Sequence, residues 1–249
     1  MGLSPPWNAP STWARWQLGN EHLARGDLSA AELHYLTSLE TFPGYYRAFA
    51  GLAQVRTAQQ RYPEAIALYQ QAMAIVPLPE YASALGDVYA KQGQADEAQK
   101  QYDLVEYIGQ LNSLNTVLYN RELAYFYADH DRKLSEALEL ARKELEVRRD
   151  VYAYDLLAWA LYKNNQPEEA LAAVTEALKL GTKDARLLFH AGMIHHRLGE
   201  RAKARDYLRR ALATNPHFHV LHVGVAERTL QEIEAQLGAA VIQEKSDGY

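Results

Sequence analysis

Residues 81–102 read YASALGDVYAKQGQADEAQKQY, and residues 189–216 read FHAGMIHHRLGERAKARDYLRRALATNP. Each begins with an apolar run holding a bulky-small pair, Leu85-Gly86 in one and Ala191-Gly192 in the other. A Gly turn follows, and then a second run keyed by one alanine, Ala98 or Ala204. Outward from these, Leu18-Gly19, Leu52-Ala53, Leu123-Ala124 and Leu157-Ala158 repeat the pair, and the successive steps are 34, 33, 38, 34 and 34 residues. The later alanine recurs as Ala31, Ala65, Ala137 and Ala170. Its distance from the pair is 12 residues in five cases and 13 in the fourth. Self-similarity at such a period marks stacked supersecondary units that share one elongated core.

Each unit reads as two amphipathic helices around a breaker. The breakers are Gly26-Asp27, Tyr62-Pro63, Gly93-Gln94, His130-Asp131, Asn164-Asn165 and Gly199-Glu200. Gly and Asn accept the left-handed backbone at a helix end, and Pro suits a first turn. Pro43, Pro77 and Pro216 stop the second helices of units one, two and six. Small residues at the pair and at the later Ala let the two helices approach closely. Tyr35, Tyr69, Tyr102, Ala141, Val174 and Leu208 lie one turn beyond each later Ala and fill the gap between hairpins.

Composition agrees with helices. Ala, Leu, Glu, Gln and Arg dominate, and formal charge is −5 with acids and bases interleaved. No basic footprint points to nucleic acid. The absence of cysteine removes thiol chemistry, thiolate metal sites and disulfides. No apolar run approaches the roughly 18 residues that would span a bilayer. The opening MGLSPPWNAP lacks the regions of a secretory signal. A cytoplasmic location is the expectation.

The bulky-small pair, the fixed Ala, the aromatic after it and the closing Pro resemble the tetratricopeptide repeat over roughly residues 12–218. The resemblance implies an all-α, right-handed superhelical solenoid of antiparallel helix hairpins. Its repeats would run about 12–45, 46–78, 79–112, 117–150, 151–184 and 185–218. Residues 1–10 would form a flexible segment, 219–237 a capping helix and 238–249 a flexible tail. No repeat carries the full signature, and the fourth has an extra residue in its turn. The insertion at Gln110–Thr116 is a longer loop or a stacking shift that divides the array into two blocks of three repeats.

No phosphate loop, dinucleotide fingerprint, zinc-protease motif or nucleophile elbow is present, so a non-catalytic protein with no cofactor is expected. The resemblance implies a binding groove lined by the first helix of each repeat, at repeat positions two, five, nine and twelve. Repeat one supplies Trp13, Trp16, Asn20 and Leu23, repeat two Arg47, Ala50, Gln54 and Thr57, and repeat three Glu80, Ser83, Asp87 and Ala90. The later repeats are more aromatic. There Tyr125, Tyr152, Trp159, Tyr162, Phe189, Met193 and His196 are candidates to grip a peptide, with Arg121 and Asp155 orienting it. The same aromatics could instead pack between neighbouring first helices, and Arg121 could pair with Asp155. A chaperone-tail carboxylate clamp is disfavoured. Asn20 fits it, but Trp16, Gly51, Glu80 and Ala84 stand where its other residues belong.

The expected function is a scaffold or adaptor holding a protein or peptide partner, with exposed terminal repeats suited to self-association. The alternative is an accessory or sensor protein with a small ligand, or less favourably a metal, in the aromatic and His-rich pocket of repeats four to six. Six histidines (His190, His195, His196, His217, His219 and His222) cluster at the last repeat and its cap. No nearby carboxylate pair completes a ligand set in sequence, so no metal site is assigned. His130, between Asp129 and Asp131, reads as exposed turn chemistry.

Overall fold

The computed structural model describes residues 9–114 and 121–247, with side chains described for 11–111 and 121–239. Every regular element among these is a helix. The chain divides into two compact units, 1–114 and 115–249.

In the first unit the hairpins are α1 (Ala9–Ala24) with α2 (Leu28–Thr41), α3 (Tyr46–Ala58) with α4 (Tyr62–Ile75), and α5 (Pro79–Lys91) with α6 (Ala95–Leu114). The second unit holds α7 (Arg121–Asp129) with α8 (Leu134–Val147), α9 (Val151–Lys163) with α10 (Pro167–Leu178), and α11 (Ala185–Arg197) with α12 (Arg201–Thr214). It ends in α13 (His222–Asp247). Within each unit every second helix packs on the first helix of the next hairpin. First helices also touch, α1 with α3, and α9 with both α7 and α11.

Turn chemistry explains the hairpins. The seventh residue beyond each small pair residue is Gly26, Gln60, Gly93, Asp131, Asn165 or Gly199, and all six have left-handed φ, between 54° and 76°. The extra residue of the fourth turn is absorbed by a second left-handed position, Lys133, at φ 38°. In the second repeat the reversal falls on Gln60, just before the Tyr62-Pro63 breaker. Helix starts are fixed by Asp side chains that accept backbone N–H groups. Asp27 accepts from Ala30 at 3.1 Å, Asp150 from Ala153 at 2.8 Å, and Asp184 from Arg186 at 2.9 Å. Helix ends follow from proline. Phe42, Val76 and Asn215 precede Pro43, Pro77 and Pro216, and each is driven into extended backbone that stops its helix.

The core is a series of wedges. Tyr35 is fully buried, and its ring edge sits where a Cβ on either Gly19 or Gly51 would come within 2.5 Å. Tyr102 meets Gly86 in the same way, and Leu208 meets Gly192. Tyr69, Ala141 and Val174 hold the matching places and are buried.

Several expected boundaries move. The flexible segment 1–10 falls outside the described residues except for Ala9 and Pro10, which are already helical. The Gln110–Thr116 insertion is helical to Leu114, and residues 115–120, including Leu118, lie outside the description. The final helix starts at His222 and continues to Asp247, ten residues past the expected end. Ala, Gln, Glu and Lys beyond Gly238 keep helix propensity high enough to continue it. No described helix is long and apolar enough to cross a membrane.

Two substitutions test this architecture. Gly51→Ala forces a methyl group against the immovable Tyr35 ring and is expected to cost about 1–3 kcal/mol in urea unfolding. Gln60→Gly relieves a side chain held at positive φ and is expected to stabilise by roughly 0.5–1 kcal/mol.

Candidate functional site

The aromatic stripe of the second unit converges on one buried polar centre. One helical turn separates Tyr125 from Asp129 on α7, Asp155 from Trp159 on α9, and Arg186 from His190 on α11, so each pair shares a face. The Tyr125 hydroxyl donates to Asp155 Oδ2 at 2.9 Å and also lies 3.0 Å from the Tyr152 carbonyl. The other side of the Asp155 carboxylate meets His190 Nδ1 at 2.9 Å, and both residues are completely buried. Asp129 accepts from Trp159 Nε1 at 2.8 Å and from Arg186 Nη2 at 2.7 Å. The Arg186 guanidinium lies 4.0 Å from the Tyr125 ring centre. Trp159 stacks on His190 at 4.2 Å and on Tyr162 at 4.9 Å.

The chain covers this stripe with its own next segment. Phe218 lies 5.3 Å from Phe189, and His222 lies 5.1 Å from Phe189 and 6.0 Å from Trp159. Trp159 and Phe189 beneath it are buried, as are Tyr162 and Met193. Tyr152 is half exposed, and His196 and Arg121 are partly so.

Arg121 and Asp155 do not pair with each other. Arg121 binds Glu144 at 2.6 Å and Asp150 at 2.9 Å, while Asp155 serves Tyr125 and His190. Asp129 was read from sequence as part of an exposed turn, yet its side chain is only 6% exposed. As the last residue of α7 it belongs to the helical stripe one turn beyond Tyr125, and that spacing is the signal in the sequence that assigns it inward. His130 turns back to the Phe126 carbonyl at 2.8 Å.

Burial alone would raise the Asp129 carboxyl. The Arg186 guanidinium more than reverses this and holds it well below the ordinary carboxylate range. Burial lowers His222 to about 4, against the opposing pull of Asp129, so its imidazole is neutral at physiological pH. Tyr125 is raised well above 10, first by burial and then by the Asp155 charge, and remains a hydrogen-bond donor.

The first unit offers an open counterpart. Trp13 is 54% exposed, and Trp16 meets Tyr45 edge-on at 6.3 Å. The Arg47 guanidinium lies 4.9 Å from the Trp16 ring and 5.5 Å from the Tyr46 ring. Arg47 Nε donates to the Tyr46 hydroxyl at 3.1 Å, and no described acid forms an ion pair with it. Asn20 is engaged by Tyr35, whose hydroxyl donates to it at 2.8 Å.

Profiles of the tetratricopeptide repeat match residues 17–78, 79–102 and 156–217. The chain belongs to the tetratricopeptide repeat family. Among curated proteins it is similar to human protein O-mannosyl-transferase TMTC1. The two are 28% identical over an alignment of 229 residues that covers 87% of this chain and 25% of that protein. It is also similar to the TPR repeat-containing protein MJ1428 of Methanocaldococcus jannaschii, 28% identical over 116 residues, 44% of this chain and 20% of that one. The chain thus spans about a quarter or less of the length of these relatives. A tetratricopeptide repeat protein structure from Parabacteroides merdae aligns with a TM-score of 0.55 at 17% identity, covering 92% of this chain and 87% of that one. That likeness concerns the fold.

Asp155 is the hinge of the buried centre. Asp155→Ala leaves His190 Nδ1 without its partner and takes one of two acceptors from Tyr125. It is expected to cost about 1–3 kcal/mol, with Asp155→Asn costing less, as read by urea unfolding of the full chain.

Proposed function

We propose that this tetratricopeptide repeat protein is a non-catalytic scaffold that holds a protein segment on the face made by its first helices. The observation that carries the reading is Arg47, a guanidinium framed by Trp16 and Tyr46 and free of any acidic partner among the described residues, with exposed Trp13 three residues before Trp16 on α1. Rings around a cation fix its position at little further entropic cost. Such a group accepts a carboxylate, and the tryptophans accept a large apolar side chain beside it. The partner is therefore an acidic segment that carries an aromatic or aliphatic anchor.

The stripe formed by Arg121, Tyr125, Tyr152, Asp155, Trp159, Tyr162, Phe189, Met193 and His196 has a different role in this reading. At Trp159 and Phe189 it packs against the chain's own Phe218 and His222, and an external peptide at that place would have to displace them. Tyr152 and His196 at its margin remain available to a partner.

Selection from a displayed random-peptide library tests this. Enriched sequences are expected to pair an acidic residue with Trp, Phe or Leu. Their affinity, read by fluorescence anisotropy, is expected to fall about tenfold or more in Arg47→Glu and in Trp13→Ala, the loss of one anchor contact. It should be unchanged in Trp159→Phe. No enrichment, or enriched peptides indifferent to Arg47 and Trp13, overturns the reading.

A further inference from the structure

The buried centre of the second unit contains more nitrogen lone pairs than its hydrogen bonds use. Asp129, His190 and His222 each present one ligand atom, and the three atoms lie within 4.8 Å of one another. His190 is completely buried, with Nδ1 at the Asp155 carboxylate. A proton on that nitrogen leaves Nε2 as the lone pair, and this atom is buried without a hydrogen-bond partner. His222 Nε2 stands 3.9 Å from Asp129 Oδ1, and its buried Nδ1 also lacks a partner. An unfilled acceptor in a sealed site is costly, and native interiors seldom keep one without a use for it.

We propose that Asp129, His190 and His222 form a binding site for a divalent first-row transition ion, with Zn²⁺ as its representative. Two imidazoles and a carboxylate are a ligand set suited to zinc, with a fourth position left for water or a further ligand. His219 stacks on His222 at 4.2 Å and steadies its ring, while its own Nδ1 accepts from the Leu221 backbone N–H at 3.3 Å. His190 has the outer contact that a metal-binding histidine uses, whereas His222 is held by ring packing on Phe189 and His219. The Asp155 carboxylate fixes the tautomer and orientation of His190, and the Tyr125 hydroxyl fixes Asp155. Trp159 Nε1 and Arg186 orient the two oxygens of Asp129, and each oxygen keeps a second lone pair.

Charge also permits the ion. Two buried carboxylates, Asp129 and Asp155, face one guanidinium, Arg186, and this leaves one negative charge when the imidazoles are neutral. Lys163 lies 5.2 Å over the Trp159 ring, and its charge is matched by Asp131 at 2.6 Å. Closing the set onto an ion about 2.0–2.2 Å from each ligand atom asks for a shift on the order of an ångström. His222, at the first residue of α13, is placed to make that shift. The ion would tie repeat four, repeat six and the final helix to one point. This proposal stands apart from the peptide reading, which uses residues of the other unit.

The full chain, stripped with chelator and dialysed, is titrated with ZnCl₂ by calorimetry and with Co²⁺ by visible absorption. One equivalent of Zn²⁺, ligand-field bands of cobalt bound through imidazole, and a raised Tm are expected. In ¹⁵N-histidine-labelled protein, the ring signals of His190 and His222 should move on zinc addition. His222→Phe, which retains the ring contact with Phe189, and Asp129→Asn should each weaken Zn²⁺ at least 100-fold. Asp155→Asn should weaken it about 10- to 100-fold through the outer contact. No heat above background in folded wild-type chain overturns the proposal. So does binding that leaves the His190 and His222 signals in place, which would assign the ion to surface histidines such as the stacked His22 and His34.

Discussion

The hairpins depend on how closely two helices can approach at a residue without a side chain. At Gly19 and Gly51 the Tyr35 ring occupies space that any Cβ would contest, and at Gly86 and Gly192 the rings and branches of Tyr102 and Leu208 do the same. One ring therefore serves two helices, α1 and α3, and ties one hairpin to the next. Because the Tyr35 wedge of α2 fills the gap at Gly51 of α3 as well as that at Gly19 of α1, the first repeat completes part of its neighbour's core. Stability in such an array lies in the contacts between neighbours as much as within each hairpin.

Much of this architecture is legible in the sequence because it rests on local rules. A left-handed residue at one fixed place in all six turns, an Asp ahead of a helix, and a proline that straightens the residue before it each act within a few positions. Those rules place α1 to α12 to within a few residues. They fail where packing between distant residues decides. Gln60 carries positive φ with no Gly or Asn to announce it, because the hairpin demands the turn whatever the residue. The reach of α13 to Asp247 is missed for a local reason, since Gly238 reads as an ending although the Ala, Gln, Glu and Lys beyond it keep helix propensity high.

The sequence reading reaches the aromatic face of the buried centre but not Asp129, His190 and His222, which complete it. Equal repeat positions gave Tyr125, Asp155, Trp159 and Phe189 one shared face, and they do share it. Which charges meet across that face is a matter of rotamers and of what covers it. Arg121 turns to Glu144 and Asp150, so Asp155 is left to hold His190. The partner of Arg186 comes from the end of α7, 57 residues earlier. Asp129 looked exposed because it borders a charged turn, although its helical spacing from Tyr125 aims it inward.

A buried cluster of this kind needs a reason, since packing alone would be met more cheaply by Leu and Phe. Two carboxylates, a guanidinium and two imidazoles under Trp159 and Phe189 carry a desolvation cost of several kcal/mol per ion before their mutual contacts offset it. The offset is specific. Asp129 is satisfied only if α9 presents Trp159 and α11 presents Arg186 at one register, and Asp155 only if Tyr125 and His190 arrive from opposite neighbours. A slip of one helical turn in any of the three would strand a charge, whereas an apolar stripe would tolerate it. The polar centre therefore fixes the alignment of α7, α9 and α11 more sharply than the aromatics around it can. It also holds His190 Nε2 and His222 Nδ1 buried without a hydrogen-bond partner, so the same contacts that set the register keep two imidazole nitrogens out of solvent.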